Sequence, residues 1–366
     1  MAGDYPYYGS TNIQSYINEY RVEGEHALIG EDGDHFLKWR DISMTLLVNG
    51  RFNVNNHAHL IKGAKNLTIW FYYFFAQKDL TLYLTRQGAG RYKLTKKALA
   101  SIPCILPPLP EQESIACVLS DTDALITSLD KLIAKKRDIK QAAMQQLLTG
   151  KQRLEGFGDS RGKFKQTEIG LIPEDWDIKR VGDICDFIVP GRNKPRIFEG
   201  DIPWITTPDL EDGRSVSKSR LNLYISKDEA KNVGSKIVPT GSILMSCVGE
   251  LGIVALTENE IVINQQLHAF IPSSIIDKFF LLNVIKIQKN YIEGLATKTA
   301  VPYLNKDNCN SIPILLPSLP EQRAIAKVLS DIDSEISALE QRRDKTKALK
   351  QAMMQELLTG KTRLKS

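Results

Sequence analysis

One long stretch of this chain occurs twice. Residues 101–154 and 311–364 align without a gap at a shift of 210 residues, and more than half of the aligned positions are identical. A repeat of that length means one structural unit built twice. Each copy opens with a proline-rich extended segment ending in Pro110 or Pro320, residues suited to a helix start. Each then runs without internal glycine or proline to Gly150 or Gly360, where a helix-ending glycine belongs. Nearly forty helical residues rise roughly 58 Å at ~1.5 Å each, more than a globular domain usually needs.

Apolar residues in these stretches fall at alternating steps of four and three. The first copy places Ile115, Leu119, Ile126, Leu129, Ile133 and Leu147 on the stripe, and the second places Ile325, Leu329, Ile332, Ile336, Leu339 and Leu357. That period is a coiled-coil seam, and the natural partner of each copy is the other. Ordinary amphipathic core helices share the period. Length, repetition and clean ends favour a paired-helix spacer.

The remaining chain divides around the two helices. Residues 1–105 form a first globular domain, 106–150 the first long helix, 151–172 a polar linker expected to be mobile in part, 173–315 a second globular domain, 316–360 the second helix and 361–366 a tail. Short apolar runs with turn residues between them predict strands at His26–Ile29, Thr45–Val48 and 56–61. In the second domain they fall at 242–245, 252–255 and 261–263. Aromatic helices are expected at 68–77 and 278–291. The expected class is α/β: two globular domains separated by two long antiparallel coiled-coil helices, with a pseudo-two-fold internal repeat.

The globular halves match more weakly, but in the same order. Tyr5-Pro-Tyr-Tyr8 parallels Ile202-Pro-Trp-Ile205, Asn55–His59 parallels Asn264–His268, and Lys93-Leu-Thr-Lys96 parallels Tyr303-Leu-Asn-Lys306. The first domain reaches its motif almost at once, as though a leading segment were missing. One fold used twice with different side chains is suited to one kind of ligand read in two details.

Composition sets broad limits. A net charge of +5 permits nucleic-acid binding without requiring it. No apolar run reaches membrane-spanning length. The first residues contain neither a basic region nor an apolar core, so they do not read as a signal peptide. Cys104, Cys117, Cys185, Cys247 and Cys309 are scattered without a C-x-x-C, which fits a reducing cytoplasm and argues against zinc or disulfides. His57 and His59 lack a third ligand of matching spacing, and a hydrogen-bonded strand histidine is the better reading. Glu31 and Asp32 read as solvated loop carboxylates. Gly150-Lys151 and Gly360-Lys361-Thr362 lack the first glycine of a phosphate loop and read as helix caps. A methyltransferase would need a glycine-rich cofactor loop and an Asn/Asp-Pro-Pro-aromatic motif, and neither is present. No catalytic residue and no metal ligand is therefore expected.

The doubled "LPPLPEQ…IA.VLSD.D…LLTGK.RL" block, with "TEIGLIPEDW" before the second domain, resembles the specificity subunit of type I restriction-modification systems. The resemblance covers nearly the whole chain and is most specific in the helical repeats. It implies two target recognition domains reading the halves of a bipartite DNA target, with the helices setting the unread spacer. It also implies docking of two modification subunits that bind S-adenosylmethionine and methylate adenine, and of ATP-driven restriction subunits. No cofactor is expected on this chain itself.

Base readout needs polar side chains on exposed loops. The first domain offers Tyr7, Tyr8, Ser10, Thr11 and Asn12, with Arg86, Gln87, Arg91 and Lys93 in a basic glycine-rich loop. The second offers Arg192, Asn193 and Lys194, then Thr206, Thr207, Asp209 and Arg214, and finally Lys298, Thr299 and Tyr303. Some of these are expected to touch only phosphates. A solvated surface role is as good a reading for any one of them alone. The competing whole-chain readings are a coiled-coil scaffold whose globular ends bind proteins, and a stand-alone enzyme.

Overall fold

The computed structural model describes residues 3–87, 91–158, 163–190, 193–297 and 300–364. The first domain contains β1 (Tyr5–Tyr8), β2 (Ile13–Ile17), β3 (Val22–Glu23), β4 (His26–Gly30), β5 (Thr45–Val48), β6 (Arg51–Val54), β7 (Ala58–Ile61), α1 (Thr68–Ala76), β8 (Thr85–Gln87), β9 (Arg91–Lys93) and α2 (Lys96–Ser101). The first long helix is α3 (Leu109–Leu147). After it come β10 (Phe164–Thr167), β11 (Gly170–Pro173), β12 (Asp177–Arg180), α4 (Val181–Ile184), β13 (Cys185–Ile188), β14 (Ile202–Ile205), β15 (Arg214–Val216), β16 (Tyr224–Ile225) and α5 (Lys227–Asn232). The chain ends with β17 (Ile243–Ser246), β18 (Val254–Thr257), β19 (Val262–Ile263), β20 (Leu267–Pro272), α6 (Lys278–Ile287), α7 (Lys289–Leu295), α8 (Lys306–Asn310), β21 (Pro313–Leu316) and the second long helix α9 (Leu319–Leu357).

The chain forms two compact units. One comprises Met1–Leu132 with Leu339–Ser366, the other Ile133–Ala338. Each unit therefore holds one globular part and one segment of each long helix. In the first unit the sheets run β2-β1-β6-β3 and β5-β4-β7, with the β8-β9 hairpin. In the second they run β13-β20-β17-β18-β15 and β16-β14-β19.

Within each unit the two helix segments are antiparallel. In the first, Asp123 pairs with Lys350 at 2.6 Å and Asp130 with Arg343 at 3.5 Å. In the second, Lys140 pairs with Asp333 at 2.6 Å, and Lys136 with Glu335. The apolar stripe is buried at Ile115, Leu119 and Leu129 in one unit and at Ile325, Leu329, Ile336, Ile133 and Leu147 in the other. Ile126, Ile332 and Leu339 are half-buried. Leu357, buried in the first unit, completes the stripe.

The ends of the stripe also bind the globular parts. Ile115, Leu119, Met354, Leu357 and Leu358 pack with Trp70, Tyr73 and Ala76 of α1. Their counterparts 210 residues away, Ile325, Leu329, Met144, Leu147 and Leu148, share a cluster with Phe280, Leu281 and Val284 of α6. Each such side chain removed from water contributes about 1.5–3 kcal/mol. The glutamine of each Pro-Glu-Gln step clips the start of the same helix. Gln112 accepts from the Leu67 N–H at 3.1 Å and donates to Asn66 and the Pro107 carbonyl. Gln322 accepts from the Asp277 N–H at 2.8 Å and donates to the carbonyls of Ile275 and Pro317. The repeat is thus constrained by docking a domain as well as by pairing.

The linker contains an antiparallel hairpin, β10 with β11, turned at Glu168 and Ile169 just before Gly170 with φ +110. One sequence expectation needs correction. The single aromatic helix expected over 278–291 is two helices meeting at Gln288, whose side chain is held by the Pro313 carbonyl at 2.8 Å.

Candidate nucleic-acid interface

In both domains a parallel strand pair presents a polar turn. β1 runs parallel to β6 (Tyr7 opposite Asn53), and β14 runs parallel to β19 (Trp204 opposite Val262). The next residue, Asn55 or Asn264, donates its N–H to Tyr8 at 2.9 Å or to Ile205 at 3.0 Å. Its side-chain oxygen then accepts from the N–H two residues on, His57 or Gln266. This Asx turn aims the exposed His57 and Gln266 from equivalent positions.

A second segment joins each turn by the same backbone pairing. In the first domain, Leu94 donates to Glu31 at 2.6 Å, Asp32 bridges Lys93, and Gly33 donates to Tyr92. In the second, Leu304 donates to Cys247 at 2.9 Å, Val248 bridges Tyr303, and Gly249 donates to Pro302. Glu31 and Asp32 are therefore not free loop carboxylates. Glu31 pairs with Lys93 at 3.2 Å, and Asp32 holds His57 Nδ1 at 2.8 Å. His57 and His59 do not converge, because His59 Nε2 is bonded to the Leu94 carbonyl at 2.7 Å.

The expected side chains distribute around these turns. Tyr7 and Tyr8 are half-buried, with the Tyr8 ring edge-on to Phe52 and its hydroxyl pKa raised by burial and by Tyr16. Ser10 is half-buried, and Thr11 and Asn12 are exposed in the tight β1–β2 turn closed by Gly9 N–H to the Asn12 carbonyl. Arg86 reaches across the β8–β9 hairpin to the Tyr92 hydroxyl at 2.6 Å and stacks on its ring, with Arg91 exposed beside it. The side chain of Gln87, and Arg192, Lys298 and Thr299 entirely, lie outside the described residues.

In the second domain Thr207 reaches Gln266 at 3.3 Å, and Tyr303 is exposed where its carbonyl takes the Thr297 N–H. Asn193 and Lys194 are exposed, with the Lys194 ammonium over the Trp204 ring. Asp209 is buried, and its carboxylate is committed to Thr206 Oγ1 and N–H and to the Arg220 N–H, each at 2.7 Å. It shapes the Thr206 turn rather than facing solvent. Arg214 donates its N–H to the Glu211 carbonyl at 2.9 Å. It begins the edge strand β15 and lines a cleft of about 540 Å³ with Arg137, Lys140, Lys286 and Asp333.

The model of the type I restriction-modification DNA specificity domain matches this chain over residues 1–139 and again over 173–349. The chain belongs to that family. Among relatives, the type I restriction enzyme MjaVIII specificity subunit of Methanocaldococcus jannaschii is 26% identical over all of this chain and 88% of its own length. The S subunit of a type I system from M. genitalium superposes with a TM-score of 0.61 at 14% identity, covering 97% of this chain and 89% of that one. A chain from a structure concerned with complex assembly and conformational transition of the type I system superposes at 0.55 and 17% identity, over 97% and 91%. These superpositions share the α/β fold with the long-helix pair.

The fold brings forward residues that base-reading rules alone passed over. Asn55–His59 and Asn264–His268 were visible as parallel motifs, but the exposure of His57 and Gln266 depends on a turn that only the paired strands define. Cys247, His268 and Cys309 also converge, though 21 and 41 residues separate them along the chain. Among the described residues, no helix is long and apolar enough to cross a membrane.

Proposed function

We propose that this chain is the non-catalytic DNA-reading component of a type I restriction-modification complex, each globular domain reading one half of a bipartite target. The observation that carries this is the double match to a DNA specificity domain, once in each half of the chain. Two equivalent Asx turns with different side chains, His57 and Gln266, support two different half-sites read by one fold. The long helices set the unread spacer, and their near-identical repeats offer equivalent docking surfaces to two modification subunits. S-adenosylmethionine and ATP then belong to the modification and restriction subunits, and the complex works in the cytoplasm. A protein-binding scaffold has no comparable support.

Adenine methylation should be mapped in cells expressing the chain with its modification partner. A bipartite motif with a fixed gap is expected. His57→Ala should relax or weaken one half only, and Gln266→Ala the other; binding of duplex DNA should fall steeply with salt. A contiguous motif, or equal damage to both halves by either variant, would overturn the reading.

A further inference from the structure

We propose that Cys247, His268 and Cys309 bind one thiophilic divalent cation, zinc foremost. The three residues come from separate places in the second domain: the exit of β17, strand β20 and helix α8. All are buried, the two cysteines completely and His268 to 7% exposure. Their ligand atoms lie within 4.8 Å of one another. The sulfurs are 3.7 Å apart, and His268 Nδ1 is 3.4 Å from the Cys309 sulfur. Tetrahedral zinc, with bonds of about 2.3 Å to sulfur and about 2.0 Å to nitrogen, would separate two sulfurs by roughly 3.8 Å and sulfur from nitrogen by roughly 3.6 Å. The sulfur pair and the Cys309–His268 pair already match these separations, and Cys247 and His268 lie within 4.8 Å.

The chemistry selects the ion class. Two thiolates and a neutral imidazole favour zinc or its soft relatives over magnesium or calcium, which take oxygen ligands. Binding releases two thiol protons to solvent. The two negative sulfurs then cancel the dipositive ion, so a buried site gains no net charge. The fourth tetrahedral position falls to a small exogenous ligand, water being the default.

The first domain shows that this fold does not need sulfur here. The backbone pairings place Glu31 where the second domain has Cys247. The strand motifs align His59 with His268, and the capped helices α2 and α8 align Leu99 with Cys309. Where one copy packs leucine and pairs glutamate with lysine, the other sets two thiols beside a histidine. The ion would tie together β17, β20 and α8 beneath the segment that presents Tyr303. This inference does not depend on what that segment reads.

The test uses the untagged full chain, reduced and stripped of metal, and Cys309→Leu, which installs the residue used by the first domain. Cobalt(II) should bind the original chain at one equivalent, with a thiolate-to-cobalt charge-transfer band that zinc abolishes by displacement. Cys309→Leu should fold, by circular dichroism, and lose at least half the band. Cys247→Ser with Cys309→Ser should lose all of it. Zinc should raise the melting temperature of the original chain and leave that of Cys309→Leu unmoved. No charge-transfer band from the original chain, an undiminished band in Cys309→Leu, or a Cys247–Cys309 disulfide in the chain as isolated would overturn the proposal.

Discussion

At the scale of single residues, Glu321 illustrates how the repeat is used unequally. Its side chain is 1% exposed, and its carboxylate accepts from the guanidinium of Arg153, at 2.6 Å from Nη2, and from the Trp176 indole at 3.2 Å. Arg153 also grips Asp175 with two bonds of 2.9 Å. In the other copy Arg363 meets Glu111 with bonds of 2.6 Å but is itself 64% exposed. Arg153→Met keeps the stem and strands a buried carboxylate, at a cost of about 3 kcal/mol. Arg363→Met should cost less, since water can approach. Arg153 holds the Asp175 carboxyl below the ordinary carboxylate range, chiefly through its hydrogen bonds. That contribution is present above the ordinary range and is lost as pH falls through the depressed value. The deficit of Arg153→Met should therefore be largest near neutrality and narrow in acid. Urea titrations of both variants at about pH 7 and about pH 2, below the depressed value, check this; a pH-independent deficit would count against the pairing.

At the scale of elements, the helix ends were legible because proline and glycine punctuate the backbone locally. Gly150 and Gly360 adopt φ of +70 and +72 and donate to Leu147 and Leu357 as closing caps. Yet the two caps are not equally demanding. A Cβ at Gly150 would lie 2.5 Å from the Pro173 ring, whereas nothing stands within 4 Å of one at Gly360. Gly360→Ala should cost about 1 kcal/mol from the left-handed backbone alone, and Gly150→Ala more than about 2 kcal/mol, since the proline ring cannot swing aside. Thermal unfolding of the two variants decides it, and equal losses would mean that β11 yields. The same contrast explains what the sequence hid. A cap depends on its own residues and their neighbours, so spacing reveals it. The break at Gln288 and the Cys247–His268–Cys309 convergence depend on partners far along the chain. The candidate interface was legible only in outline: the sequence pointed to the loops around Thr206 and Tyr303, while the Thr206–Asp209 capping box and the Asx turns at Asn55 and Asn264, though local, take their direction from the paired strands that carry them.

At the scale of the whole molecule, the repeat makes a dimensional prediction. The crossing pairs Asp123–Lys350 and Lys140–Asp333 are one contact written twice, 210 residues apart, one in each unit. A four-residue insertion between Lys131 and Leu132, matched by one between Gln341 and Arg342, keeps that correspondence and leaves both apolar docking clusters untouched. Coiled coils absorb such a stutter by local unwinding. The inserted turn adds about 6 Å to each helix, equivalent to about 2 bp at ~3.4 Å each. If the helices set the gap between half-sites, the methylation motif of this variant should keep both halves and widen its unread spacer by about 2 bp. Insertion into α3 alone should instead offset the paired charges and lower activity without defining a new spacing. A doubly extended chain that remains active and methylates at the original spacing would mean that the gap is set elsewhere, by the modification subunits or by the reach of the loops.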